Sequence, residues 1–421
     1  MGSTSTEEVT IAGLSLEAGD EGDLLFNETY DAPSYWKDAN VTVAGAMGGI
    51  VASSLEDGAV VVYLRETREH YGFSTETGEY LWGPTPSEHY LNALEDSPSN
   101  VRHIAYGNFY SASIGGEVYC YDVQTGDLKW TYQVTDPYSE MLWSNNWWVK
   151  PMFITDGKIY VAHTEHSAVD PRPRGAPFVC IDAMTGEEIW RIDGAFRTTR
   201  WGGRAIIGDS IIALMDTYDQ QVYAVGKGPS ALTAQAPMSG VTVGSSVQIT
   251  GTIMDVSPGT NDASLTTRFP NGVPAIADED MSAWMLHVYK QFEEPMVNGV
   301  EVILCAVDPN GNYMDIDRTT SDMYGNWALA FKPEMEGTYQ IIATFEGSGA
   351  YYGSTTSTYV TVDPAPAVSA PIEPEEPVNP ETPVDTEEPA GFVISTEIAI
   401  IAAVAVAAVI GVAAYFFLKR K

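Results

Sequence analysis

Three groups of residues in this chain have side chains that could do chemistry at the spacing they occupy. His163, His166 and Asp170 fall close together in the run HTEHSAVDPRPRG. Imidazole and carboxylate groups so placed can ligate a divalent metal, although a long loop of this kind usually holds none, and no metal ligand is assigned. Trp143, Trp147, Trp148 and Trp201 are candidate ligand-facing aromatics. Indole faces stack on sugar rings, and they also fill gaps between packed sheets. Asp308-Pro-Asn-Gly-Asn begins like a calcium loop, but its glycine comes at the fourth position and Thr319 stands at the twelfth. A plain hairpin turn is expected there. The sequence contains no G-x-x-x-x-G-K-[ST], no G-x-G-x-x-G after a strand, no H-E-x-x-H and no G-x-S-x-G. Neither catalytic residues nor a cofactor are expected, and the chain reads as non-enzymatic.

The elements that would position these groups come from internal repeats. GDLLF at Gly22–Phe26, GEYLW at Gly78–Trp82, GDLKW at Gly126–Trp130 and GEEIW at Gly186–Trp190 superpose. Each has a glycine, an acid, two variable positions and an aromatic. Apolar strand-like runs precede three of them: YGFSTETG, VYCYDVQTG and FVCIDAMTG. Thr-Gly closes a tight hairpin because glycine tolerates positive φ. The aromatic four residues later packs on a neighbouring sheet. One such sheet cannot bury both of its faces, so copies must stack, which predicts blades of about 50 residues.

The strand, D-x-x-TG turn and terminal tryptophan resemble the PQQ-like β-propeller repeat over residues 20–228. Asp122–Trp130 and Asp182–Trp190 match closely, and Ser74 replaces the aspartate in a weaker copy. The signature residues are Phe26, Trp82, Gly126, Trp130, Gly186 and Trp190. The resemblance implies a propeller fold. Quinone dehydrogenases of that fold have vicinal cysteines, a tryptophan floor and calcium-binding acids. No two cysteines are adjacent here, so cofactor-dependent oxidation is not expected. About four blades can be counted. The array opens on GDLLFNETY, an outer-strand motif, and closes on inner strands ending at Gly228. Either a split blade seals a four-bladed ring, or these are the last blades of a larger propeller. Residues 1–23 lack a basic, apolar, cleavable leader, so a C-terminal fragment is the expectation.

A second β-rich region follows, with alternating apolar residues at Trp327, Leu329 and Phe331 and at Tyr339, Ile341, Ala343 and Phe345. Short strands broken by DPNGN and SDMYGN turns imply an immunoglobulin-like sandwich, resembling bacterial and archaeal Ig-like surface modules. Met281, Trp284, Met285, Val288, Tyr289 and Phe292 mark an inserted amphipathic helix with Asp278–Asp280 at its start. Beyond Val362 a stretch rich in proline and acid, without Lys or Arg, cannot form a core and predicts a stalk. From Ile398 to Leu418 no residue is charged, enough for a helix of about 30 Å across a bilayer. Lys419, Arg420 and Lys421 follow, placing the tail inside and the bulk outside.

The rest of the composition agrees with an outer location. The chain carries 57 acidic against 21 basic residues, a net charge of −36, which repels nucleic acid and anionic headgroups. Asn27-Glu-Thr and Asn40-Val-Thr are glycosylation sequons. Cys120, Cys180 and Cys305 sit in apolar runs and are expected as buried thiols. The expected layout is therefore all-β, a partial or small propeller plus an Ig-like sandwich. A disordered or truncated N-terminus takes 1–21, propeller repeats 22–235, the sandwich with its helical insertion 236–363 and the stalk 364–391. A single transmembrane helix takes 392–418 and a cytoplasmic tail 419–421. This order is similar to large archaeal membrane-anchored surface glycoproteins, and implies adhesion, envelope scaffolding or binding, with envelope proteins or glycans as partners. The alternative is a sugar- or quinone-binding propeller, enzymatic only in a longer complete form. The sequence does not assign an oligomeric state.

Overall fold

Alternating apolar residues, punctuated every few positions by Gly, Asn and Asp, favour short antiparallel strands over helices. The computed structural model describes residues 8–39, 41, 48–89, 101–112, 115–135, 149–165, 177–193, 197–199, 205–216 and 219–365. The chain divides into two compact units, Met1–Pro366 and Ala367–Lys421, and every described residue belongs to the first. It is all-β with few helices.

The N-terminal part is a series of antiparallel sheets. A hairpin sheet pairs β1 (Glu8–Leu14) with β2 (Leu24–Asp31) and is followed by the one-turn helix α1 (Tyr35–Asp38). The first blade is β3 (Gly48–Ser54), β4 (Ala59–Leu64), β5 (Glu69–Ser74) and β6 (Tyr80–Trp82). The second is β7 (Arg102–Ala105), β8 (Asn108–Ala112), β9 (Glu117–Asp122) and β10 (Leu128–Gln133). The third is β11 (Val149–Thr155), β12 (Lys158–Glu165), β13 (Phe178–Asp182) and β14 (Glu188–Ile192), with β15 (Arg197–Thr199) parallel to β12. A terminal sheet of three strands, β16 (Ile206–Gly208), β17 (Ile211–Asp216) and β18 (Gln221–Val225), ends the array.

Sheets stacked face to face bury a separate apolar seam at each junction. Val9, Ile11, Val62 and Tyr71 fill the first; Val61, Tyr63, Phe109 and Tyr121 the second. Tyr110, Val118, Ile159 and Val179 fill the third, and Ala162, Phe178, Ile212 and Leu214 the fourth. Alternation along each strand supplies one set of residues to each neighbour. Thus Phe109 and Tyr110, adjacent in β8, face different seams. Of the two arrangements open in the sequence, the described strands do not form the sealed ring. β2 pairs with β1, and among the described residues β18 pairs with β17 alone.

Beyond the array, β19 (Ser230–Leu232), β20 (Val241–Thr242), β21 (Val247–Asp255) and the helix α2 (Ala263–Arg268) lead into β22 (Val273–Pro274) and α3 (Met281–Lys290). β23 (Glu301–Val307), β24 (Tyr313–Thr320), β25 (Asn326–Phe331), β26 (Gly337–Gly347) and β27 (Tyr352–Asp363) complete it. One sheet joins β19, β21 and β22, with β25 also on β21; the other runs β20-β27-β26-β23-β24. The two close on one core that includes Ile249, Leu304, Trp327, Ile341 and Val360. The helix α3 forms where its apolar spacing indicates and ends at Gln291, whose φ of 58° is left-handed. Trp284 and Val288 pack with Leu265 of α2 in a satellite cluster. The acid run before α3 is a 3-10 turn, and Asp278 reaches elsewhere. It accepts from Ser348 Oγ at 2.7 Å, Gly349 N at 2.6 Å and Ala350 N at 3.0 Å.

All three cysteines are buried and free. Burial pushes the Cys120 thiol up to about 12 and the Cys180 thiol up to about 11, which leaves them unreactive. Among the described residues no helix is long and apolar enough to cross a membrane. The expected span at 392–418, the cytoplasmic tail, and all of the stalk beyond residue 365 lie outside the described residues.

Candidate functional site

The signature residues do two jobs at once. In the second blade Asp122 accepts the backbone N–H of Gln124 at 2.9 Å and of Thr125 at 3.1 Å, which folds the turn. Asp182 repeats this with Met184 and Thr185 at 2.8 and 2.9 Å. Those two N–H donors, Thr185 first, hold its carboxyl below the usual range. In the first blade Ser74 substitutes, its hydroxyl accepting from Glu76 N and Thr77 N at 3.1 and 3.2 Å. Each turn glycine is left-handed, with φ of 74° at Gly78, 73° at Gly126 and 76° at Gly186.

The same glycines are also seats. A Cβ on Gly78 would lie 2.5 Å from Phe26, one on Gly126 2.5 Å from Trp82, and one on Gly186 2.6 Å from Trp130. The aromatic that ends one sheet therefore lies on the turn glycine of the next. Trp82 adds an indole N–H donated to Val123 O at 2.8 Å. Trp190 packs against Tyr160 and Phe178 in the last seam, and among the described residues it meets no such turn.

Between the first two blades lies a buried polar cluster that sequence reasoning missed. Arg102, at the start of β7, donates through Nε to His70 Nε2 at 3.0 Å. Its guanidinium carbon stands 3.6 Å from the centroid of the Tyr63 ring, and its Nη2 lies 3.6 Å from Glu88 Oε2. Tyr121 donates to Glu88 Oε1 at 3.3 Å. Because His70 Nε2 accepts, its proton sits on Nδ1, facing Thr85 Oγ1 at 3.4 Å and Glu88 Oε1 at 3.7 Å. Burial, with the adjacent Arg102 charge, drives the imidazole well below its usual range, so it is neutral. Glu88 and Thr85 belong to the crossover from β6 to β7. Backbone bonds from Thr85 N to His70 O and from Glu88 N to Arg68 O tie that crossover down. At its outer end the exposed His89 meets Glu117 at 2.6 Å. The His70, Glu88 and Arg102 side chains are 0–1 % exposed, so they meet one another and the Tyr63 ring. The cluster is a clamp on the crossover.

A second charged contact joins the array to the sandwich. Lys290, at the end of α3, reaches Asp216 Oδ2 at 2.6 Å and Asp219 Oδ2 at 3.0 Å, with its ammonium 4.2 Å from the Tyr223 ring centroid. Burial acts to raise the Asp219 carboxyl, but hydrogen bonds from Tyr223, Gln221 N and Lys290 outweigh it and hold the group low. Ser282 of the same helix accepts from Asp193 N at 3.2 Å.

The family model described as outer membrane protein assembly factor BamB matches residues 28–141 and 71–322. The chain belongs to that family. BamB from Moraxella catarrhalis is 12% identical, covering 80% of this chain and 92% of its own, with a TM-score of 0.31. A europium-containing methanol dehydrogenase is 10% identical over 60% of this chain and 63% of its own, also at 0.31. The computationally designed Ika4 protein is 13% identical over 43% of this chain and 93% of its own, at 0.29. No curated protein matches.

In this BamB-type chain the sequence-derived ligand candidates divide unevenly. Trp143, Trp147, Trp148, Trp201, His166, Asp170 and the sequon Asn40 lie outside the described residues. His163 is buried in β12, opposite Val149. Among the described residues no three His, Cys, Asp or Glu side chains converge as a metal site would require. Asn27 is exposed on β2. Asp308 closes the β23–β24 hairpin, accepting from Asn310 N and Asn312 N at 2.8 Å each. On the sandwich a groove of about 540 Å³ is lined by Thr233, Thr250, Thr319, Asp322, Asn326 and Trp327.

Proposed function

We propose that this chain is a non-enzymatic, membrane-anchored surface protein. It displays propeller repeats and an immunoglobulin-like module on an acidic stalk, and works by binding or scaffolding other envelope components. The observation that carries the reading is the Lys290 joint. Asp216 and Lys290 are 0 % and 6 % exposed, so the propeller array and the sandwich present their surfaces as one body. Spending a buried ion pair on a joint suits a display platform, because such pairs specify an arrangement more than they stabilise it. The family description, an assembly factor, supports a role exerted through protein contacts. The antiparallel two-sheet core supports the Ig-like assignment. The uncharged run Ile398–Leu418 and the Lys419–Lys421 tail support a single span with the bulk outside. The order of modules resembles archaeal surface proteins, and the exposed Asn27 suits a glycan.

Labelling intact cells with a membrane-impermeant amine reagent tests this. The full chain should be labelled and sediment with membranes, and a chain ended at residue 391 should appear in the medium. Full-length protein that stays unlabelled in the soluble cell fraction would sink the reading.

A further inference from the structure

Lys290 sets a primary amine against a carboxyl group where water hardly reaches. Its Nζ lies 2.6 Å from Asp216 Oδ2 and 3.0 Å from Asp219 Oδ2. The side chains of Lys290 and Asp216 are 6% and 0% exposed. Lys129–Asp122 at 2.9 Å and Lys158–Asp156 at 2.6 Å are comparably close, but their side chains are 28–85% exposed and stand in water. The three groups at the joint come from two regions of the chain. Asp216 ends β17, Asp219 follows in the turn to β18, and Lys290 is the last residue of α3, 74 positions beyond Asp216. Gln220 N donates to Asp216 O at 2.8 Å and closes the turn, which keeps the two acids side by side. Tyr223 of β18 completes the site. Its hydroxyl donates to Asp219 Oδ2 at 2.5 Å, and its ring centroid lies 4.2 Å from Lys290 Nζ.

We propose that Lys290 and Asp216 join in an intramolecular amide bond, with Asp219 as the proton carrier. An amine 2.6 Å from a carboxyl oxygen is about 3–3.5 Å from the carbon behind it, the separation of a near-attack pair. Holding the two groups there turns a bimolecular reaction into an internal one, with effective molarities on the order of 10⁵–10⁸ M. Burial adds a second push. The ion pair keeps two charges away from water, which costs free energy, whereas the amide carries none. Lysine is the cation that can respond, because a buried ammonium gives up its proton and a guanidinium does not.

The step balances without a co-reactant. The ammonium passes one proton to Asp216, which leaves a free amine beside a neutral carboxyl. The amine lone pair attacks Asp216 Cγ, and the carbonyl electron pair moves onto oxygen. Asp219 takes the proton that the new N–C bond has made acidic and hands it to the Asp216 hydroxyl. The C–O bond then breaks, the carbonyl re-forms and water leaves. One C–N bond has replaced one C–O bond, and nothing is oxidised or reduced. Asp219 suits its part because its hydrogen bonds hold the carboxyl ionised, as a base must be. At 27% exposure it also marks the way out for the water. The bond locks the array to the sandwich, and it rests on this contact alone, wherever the protein resides.

The test is a tryptic digest of the full chain, purified in mild detergent, denatured and read by tandem mass spectrometry. An acylated Lys290 is no longer cut, so 205–227 should appear joined to 269–318, about 18 Da lighter than the two peptides together. Fragment ions should place the link at Asp216. Lys290→Arg keeps the ion pair but has no amine to give, and its digest should be unlinked. Asp219→Asn should slow the appearance of the link at least ~100-fold, followed after synthesis in a cell-free translation mixture. Asp219→Glu, which restores a carboxylate, should recover it. Native chain that yields 205–227 and 269–290 separately at full mass overturns the proposal. So does a link at Asp219, which reverses the roles of the two acids, or one that forms at the native rate in Asp219→Asn. A linked chain that surface labelling misses upholds the bond while overturning the display role.

Discussion

The sandwich and the propeller array bury apolar residues in opposite ways. The sandwich closes two sheets on one continuous core. Among the described residues, the array divides its apolar side chains among four seams, each shared by two neighbouring sheets. A closed core links every strand to every other. A stack of seams links each sheet only to its neighbours. Stability in the first is a property of the module, and in the second of each junction.

The largest effect is expected where the two regions meet. Lys290→Met leaves Asp216 buried without its ammonium, and removing one partner of such a pair costs about 3–5 kcal/mol. Differential scanning calorimetry should then resolve separate array and sandwich transitions. A single transition at an unchanged temperature would show that Lys290 does not couple them.

Next come truncations of equal chemistry and different reach. Leu304→Ala in the sandwich and Ile159→Ala in the third seam each remove a fully buried side chain and cost about 2–5 kcal/mol. Hydrogen exchange should rise across all sandwich strands for Leu304→Ala. For Ile159→Ala it should rise only in the second and third blades. Uniform exchange changes throughout the array would mean the seams are not independent.

A glycine pair isolates the aromatic seat. Gly107 and Gly126 have φ of 70° and 73°, but a Cβ on Gly107 would have no atom within 4 Å, whereas one on Gly126 meets Trp82 at 2.5 Å. Gly107→Ala should cost about 1–2 kcal/mol for the left-handed backbone. Gly126→Ala should cost roughly 1–3 kcal/mol more for displacing the indole. Equal losses in urea titrations would mean that only the turn needs glycine.

That pair also shows what the amino acids disclose before folding. Thr125-Gly126 and Trp130 are legible because turn chemistry is local, and α3 is legible because its apolar spacing is local. That Trp82 lies on Gly126 is not, since it depends on how one blade is laid against the next. His70, Glu88 and Arg102 escape for the same reason: they come from a strand, a crossover and another strand, and stacking alone brings them together.

The smallest effect falls on the array alone and depends on pH. His70 is neutral and buried in the native protein, with its affinity for a proton depressed well below the usual value of 6.5. The unfolded chain regains the ordinary affinity. As pH falls below about 6.5 the unfolded state takes up a proton that the native state refuses, so native stability declines. Above that value neither state binds the proton and the contribution is constant. The slope from this one group approaches about 1.4 kcal/mol per pH unit. His70→Gln removes it while keeping an acceptor for Arg102. Measured by hydrogen exchange between about pH 6.5 and 5.5, the array strands of the native sequence should therefore lose stability faster than those of the variant. The sandwich strands, which contain no part of the clamp, should show no such difference. Parallel pH profiles for the two arrays would show that His70 takes up its proton without opening the seam.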